Sequence, residues 1–224
     1  MKTRRDTIQD RPLPNMPKLE RSPEPYLYQA YGIYLLENKH KLIRQMKKRY
    51  QPSVHGHRPW HSSYLVMDYL QHRPIPTRSR VLEVGSGWGP LSIFCASRFN
   101  GKVTALDIDK EVFPYMKVLA ELNNVEIAPL IKSFKKITTE ELGEFDIVVG
   151  SDICFWDELV KPLAKMVDRA FDAGVKRVIF ADPGRPTFYE MCDLCNSKHK
   201  VSLAEWYAVE PERFEGEVVE IRPS

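Results

Sequence analysis

A glycine-rich decapeptide, Val81-Leu82-Glu83-Val84-Gly85-Ser86-Gly87-Trp88-Gly89-Pro90, limits the folds open to this chain more than any other stretch. Val81, Leu82 and Val84 suit a buried strand. Pro90 suits the first turn of a helix, where its missing N–H is not needed. Glycines at 85, 87 and 89 let the connection take backbone angles closed to other residues, and let a ligand lie against bare main chain. A strand–turn–helix of this kind can hold a nucleoside-bearing cofactor.

The stretches around it repeat the alternation. Leu91, Ile93, Phe94 and Cys95 mark a helix that Asn100-Gly101 stops. Strands are expected at Val103–Leu106, Val125–Ile131, Phe145–Gly150 and Val175–Ala181, with helices between them near 110–123 and from Leu159 to Ala170. Thr138 to Leu142 reads as a short helix with a Thr138–Glu141 capping box. Lys200–Val209 and Phe214–Arg222 alternate like a closing antiparallel pair. The predicted fold is therefore α/β: a Rossmann-like, doubly wound sheet, mostly parallel with an antiparallel last strand, plus an N-terminal helical extension.

Three regions are expected: an extended arm at 1–25, rich in proline and charge, a helical extension or lid at 26–78, and the cofactor-binding domain at 79–224. In the second region, Tyr31, Tyr34, Leu35, Leu42 and Met46 read as one face of a helix from Tyr26 to about Tyr50. A loop at 51–61 carries His55, His57, Arg58, Trp60 and His61, and Ser62 and Ser63 look like the N-cap of the next helix.

The net charge of +3 conceals an asymmetry. Residues 1–80 hold 16 Lys/Arg and 6 Asp/Glu (net +10), while 81–224 hold 17 and 24 (net −7). A basic extension on an acidic body suits either an acidic partner or a solvated helix face. Residues 1–15 lack the apolar run of a signal peptide, and no stretch is long and apolar enough to span a bilayer. A cytoplasmic protein with no membrane partner is expected. Cys95, Cys154, Cys192 and Cys195 read as reduced, mostly buried thiols, and no metal site is expected.

The chemistry is written at strand ends. Asp107 lies 22 positions after Gly85, where a carboxylate accepts hydrogen bonds from two ribose hydroxyls or caps the following helix. The third glycine of the turn comes one residue too early for a dinucleotide fingerprint. Glu83 would repel a diphosphate while suiting a positively charged amino-acid moiety. That choice points to S-adenosylmethionine, with Glu83, Gly85, Ser86, Gly87, Gly89 and Asp107 as candidate cofactor residues. Ile108 and Phe134 suit the two faces of an adenine ring, and Ser133 and Ser151 offer polar contacts.

Glu83 to Gly89 with Asp107 resembles the first two motifs of the class I, seven-strand S-adenosylmethionine-dependent methyltransferases. Ser151-Asp152-Ile153-Cys154-Phe155 resembles the Asp-x-x-Tyr signature of the seven-strand protein lysine methyltransferases, with Phe155 in the tyrosine's place. Pro59-Trp60-His61-Ser62-Ser63 resembles the upstream Trp segment that helps close their cofactor site. Asp182 to Phe188 is similar to a segment of the electron-transfer-flavoprotein β-subunit lysine methyltransferases. The resemblance implies methyl transfer to a nitrogen, foremost a protein lysine, with Asp152 and Phe155 as catalytic candidates and Trp60 on the cofactor. Asp152 orients an amine or caps a helix. Arg185 binds an acidic group or braces its loop against Asp182. A small-molecule N- or O-acceptor is the alternative. A nucleic-acid acceptor is disfavoured, since the Ser151 segment lacks the Asn/Asp-Pro-Pro-Tyr/Phe run of amino-adenine enzymes.

Overall fold

A computed structural model of the chain describes residues 5–6, 24–53, 56 and 58–224. Most of the predicted arm lies outside the described residues, although the two-residue strand β1 (Arg5–Asp6) pairs with the edge of the main sheet. The next segment departs from expectation. In place of a long helix, β2 (Leu27–Ala30) and β3 (Ile33–Leu36) form an antiparallel hairpin, and only α1 (Lys41–Met46) is helical before residue 50.

Two local features override the helical spacing. Tyr31 (φ 51°) and Gly32 (φ 79°) occupy the two turn positions, the left-handed pair that suits a two-residue hairpin loop. After the turn, Ile33 and Leu35 are buried at 1% and 0% exposure while Tyr34 between them is 44% exposed, the period of a strand. Tyr31 also docks the hairpin on the body. Its hydroxyl donates to Asp68 (2.9 Å) and accepts from the Val209 amide (2.8 Å). Asp68 in turn takes the Trp206 indole N–H (3.0 Å).

Asp68 belongs to α2 (Ser62–His72), which precedes the domain proper. His61, not a serine, is its N-cap residue. The Ser63 hydroxyl bonds back to the Trp60 carbonyl at 2.7 Å. There follow β4 (Arg80–Val84), α3 (Pro90–Phe99), β5 (Lys102–Asp107), α4 (Phe113–Leu122), β6 (Ile127–Ile131), α5 (Thr139–Leu142), β7 (Ile147–Ser151), α6 (Asp157–Asp172), β8 (Arg177–Asp182), α7 (Pro186–Asn196), β9 (Lys200–Ala208) and β10 (Phe214–Arg222). The sheet order is β1-β9-β10-β8-β7-β4-β5-β6. β10 alone runs antiparallel to both its neighbours, and the other pairings are parallel. One face buries α2, α3 and α4 with the hairpin, and the other buries α5, α6 and α7. The fold is a doubly wound α/β sheet with an antiparallel last strand.

Alternation along β4 decides where Glu83 goes. Leu82 and Val84 face the α6–α7 side, whereas Val81 and Glu83 face α3. Glu83 is 2% exposed, and its carboxylate takes the Ser92 backbone N–H at 2.9 Å as well as the Ser92 hydroxyl. Ser92 lies in the first turn of α3, so Glu83 satisfies an orphan helix donor from inside the sheet. Burial pushes the Glu83 carboxyl up to about 8, against the pull of the Ser92 hydrogen bonds.

An ordinary glutamate titrates near about 4.3 in an unfolded chain. Between about 4.3 and 8 the folded state therefore keeps a proton that the unfolded state has released. The Glu83 contribution to stability therefore falls as pH rises through that window, by at most about 1.4 kcal/mol per pH unit. Urea unfolding across this range is expected to show a steeper fall in the wild-type chain than in Glu83→Gln, which still offers Ser92 an acceptor, while Asp107 and Asp182, also raised by burial, keep part of the slope. An unchanged slope in the variant would place the pH dependence elsewhere.

Candidate functional site

Strand order reverses between β4 and β7, and open α/β sheets bind ligands at the carboxyl ends of the strands at such a switch point. A cavity of about 740 Å³ opens there. That is room for a ligand of nucleoside-cofactor size, within the range of about 300–1,000 Å³ usual for such sites.

The first wall comes from the ends of β4 and β5. Gly85 (φ 67°) and Gly87 (φ 52°) both line the cavity. A Cβ on Gly85 would meet Ile153 at 2.5 Å, whereas one on Gly87 would meet nothing within 4 Å. Glycine at 85 thus serves close packing against the segment after β7, and at 87 it bares main chain. The Gly87 amide donates to Asp107 Oδ2 at 2.9 Å, and the Asp109 amide donates to Oδ1 at 2.9 Å. Burial raises the Asp107 pKa, and these N–H groups oppose the shift. Asp107 does not cap the next helical turn. Asp109 does so, by accepting from the Glu111 amide at 2.9 Å.

Ile108, Ser133 and Phe134 form a second, mainly apolar wall with Ile131. Ile108 is 64% and Ile131 61% exposed, so two large aliphatic groups face open space beside Phe134. This arrangement suits a flat, apolar ring.

The third wall follows β7. Ser151, Asp152 and Phe155 lie on the cavity, with Trp156 beside them. Asp152 has φ 55°, a left-handed conformation that aspartate tolerates better than most side chains. Its carboxylate takes Arg185 Nη2 at 2.8 Å and caps no helix. The N-cap of α6 is Trp156, without a side-chain bond. Arg185 also reaches Asp182 at 2.6 Å, so it braces its loop.

Trp60 completes the lining, with the Arg58 guanidinium 4.5 Å above its ring. The loop before it is tied down on the same side of the molecule. Trp88 turns inward, stacks on Tyr115 at 4.5 Å, and donates to the Gly56 carbonyl at 2.8 Å. The Ser53 hydroxyl donates to Asp109 at 3.0 Å. His55 and His57 lie outside the described residues. Among the described residues no group of three or more His, Cys, Asp or Glu side chains is placed to hold a metal.

Three candidates do not reach the cavity. Glu83 is buried behind the glycine turn, with its carboxyl group on the Ser92 amide and hydroxyl. Ser86 is 4% exposed and turned into the body. Gly89 is the left-handed N-cap of α3, where a Cβ would meet Met116 at 2.7 Å. Conversely, Lys132, Lys135, Lys136, Ile153, Glu158 and Leu159 line the cavity without having been singled out. The rule that ligands gather at strand carboxyl ends flags the lysines, which follow β6. Lys132 is paired with Glu141. The four thiols are buried, and burial pushes both Cys154 and Cys195 up to about 12.

Residues 81–174 match the family described as "Methyltransferase domain". The chain is 29% identical over 130 residues to the electron transfer flavoprotein beta subunit lysine methyltransferase of Mus musculus, covering 58% of this chain and 50% of that protein. It is 32% identical over 82 residues to the ubiquinone biosynthesis O-methyltransferase of Xanthomonas axonopodis pv. citri (strain 306), covering 37% and 34%. This chain therefore spans about half the length, or less, of these curated relatives. The crystal structure of TrmN from Thermus thermophilus superposes with a TM-score of 0.56 at 15% identity, covering 86% of this chain and 56% of that one, a likeness of fold. The family uses S-adenosyl-L-methionine, and the bare main chain at Gly87, the Asp107 carboxylate and the open apolar slot at Ile108 fit that cofactor. Residues 81–174 accordingly form a methyltransferase domain of the class I, S-adenosylmethionine-dependent type.

Proposed function

We propose that the protein binds S-adenosylmethionine in this cavity and methylates the side-chain amine of a protein lysine. One observation carries the reading: a nucleoside-type wall and the Asp152 carboxylate share a single cavity. Asp107 would hold the ribose hydroxyls, Ile108 and Phe134 the adenine, with Ser133 in polar contact. The main chain at Gly85 and Gly87 would lie against the remainder. Ser151, Asp152 and Phe155 would face the acceptor, and Trp60 would close over the cofactor.

When bound, the cofactor supplies an electrophilic methyl: the amine lone pair forms the N–C bond, the S–C pair returns to sulfur, and the amine's proton leaves to solvent. The protein's share is positioning and desolvation. A lysine must first lose a proton against a reference pKa of about 10.4, and a dry site favours the neutral amine. Phe155 and Trp156, packed edge-to-face at 4.7 Å, offer such a wall. Trp156 is 46% exposed, which suits a mouth that admits a side chain from a large partner. The similarity to a lysine methyltransferase supports the same acceptor, and free, buried thiols suit a cytoplasmic setting.

Asp107→Ala is expected to weaken S-adenosylhomocysteine binding by about tenfold or more in calorimetry, since it removes charge-assisted hydrogen bonds. Unchanged affinity would remove Asp107 from the ribose site. Methyl-tritiated cofactor incubated with the protein and cell extract is expected to label a protein band, with mass spectrometry locating the added methyl on lysine. Label confined to small metabolites would favour a small-molecule acceptor and overturn the lysine reading.

A further inference from the structure

We propose that Arg185 is a positioning residue that aims Asp152 at the acceptor nitrogen, an inference that rests on the lysine reading above. Arg185 is not part of the cavity lining, yet its guanidinium joins two strand-end loops. Nη1 meets Asp182 Oδ2 at 2.6 Å, and Nη2 meets Asp152 Oδ1 at 2.8 Å. Asp182 makes a fixed anchor. It is fully buried, and its Oδ1 takes the Gly184 amide at 3.0 Å and the Arg185 amide at 2.8 Å. Gly184 (φ 102°) lets the loop double back for these bonds.

Asp152 is held from the same side. Its amide donates to the Ala181 carbonyl at 3.0 Å, immediately before Asp182. With Oδ1 committed to Arg185, its second oxygen carries no hydrogen bond from the described residues, and Asp152 lines the cavity. Bracing the loop needs only Asp182. The second arm of the guanidinium instead fixes the direction of a carboxylate in the site, and offsets the repulsion between two close acids. Two carboxylates and one guanidinium leave one net negative charge, suited to an acceptor that presents N–H groups. A planar fork bridges two carboxylates in a way that one ammonium cannot.

The test needs no identified protein substrate. The probe is an analogue of S-adenosylhomocysteine with its sulfur replaced by a nitrogen bearing a 2-aminoethyl arm, whose terminal amine stands in for the acceptor. By calorimetry the wild-type protein is expected to bind it about tenfold more tightly than S-adenosylhomocysteine. Arg185→Gln should reduce that advantage to within about twofold while leaving S-adenosylhomocysteine affinity unchanged. Arg185→Lys should retain part of it, at least about threefold below wild type, and decides the matter should the Gln variant fail to fold. A full advantage in the variants overturns the positioning role and leaves the lysine reading standing. Loss of S-adenosylhomocysteine binding in Arg185→Gln overturns it in favour of a purely structural role. No advantage in the wild-type protein removes the amine acceptor, and the proposal with it.

Discussion

The site depends on how closely β4 approaches β7. A Cβ at Gly150 would sit 2.9 Å from the Val84 carbonyl, and one at Gly85 would drive into Ile153. With both positions bare, the turn after β4 lies directly against the segment after β7. The Gly85 and Ser86 amides then both reach the Leu106 carbonyl, at 2.8 and 3.1 Å. Three strand ends are thereby locked together, and the cavity is the space their loops leave. Its residues come from far apart in the chain, but they are fixed by main-chain contacts between neighbouring strand ends.

A second layer of interactions holds that arrangement from behind. Glu83 secures the start of α3 from within the sheet, and Trp88 ties the glycine turn to the loop that leads to Trp60. On the far side, Arg177 donates to the Pro74 carbonyl at 2.9 Å and pairs with Glu220, which the Tyr69 hydroxyl also reaches at 3.0 Å. This buried network fastens the end of α2 to β8 and β10. The N-terminal segment is thus joined to the domain by directional, desolvated contacts, which are costly to break singly.

Most of the α/β order could be read in the sequence, because buried strands and amphipathic helices leave distinct periodicities. The 26–50 segment departs from its helical spacing for a physical reason. Tyr31, Tyr34 and Leu35 satisfy helical spacing, but a left-handed Tyr31-Gly32 pair turns the chain back on itself, and Tyr31 finds its partners 37 and 178 positions away. Local pattern cannot reveal such distant partners. The same limit applies at the site. Spacing places Asp107 at a strand end, yet only the pleat of β4 shows that Glu83 points to α3, and only the folded loops bring Arg185 to Asp152. Lys132, Lys135 and Lys136 resemble solvated charges until the end of β6 sets them on the cavity rim.

The central claim is that the crevice at the glycine turn holds S-adenosylmethionine. A crystal structure of the protein grown with S-adenosylhomocysteine tests it most directly. The adenine is expected between Ile108 and Phe134 and the ribose hydroxyls on Asp107, with the sulfur turned toward the Asp152 loop. A nucleoside bound elsewhere, or a crevice that stays empty at saturating ligand, would contradict it.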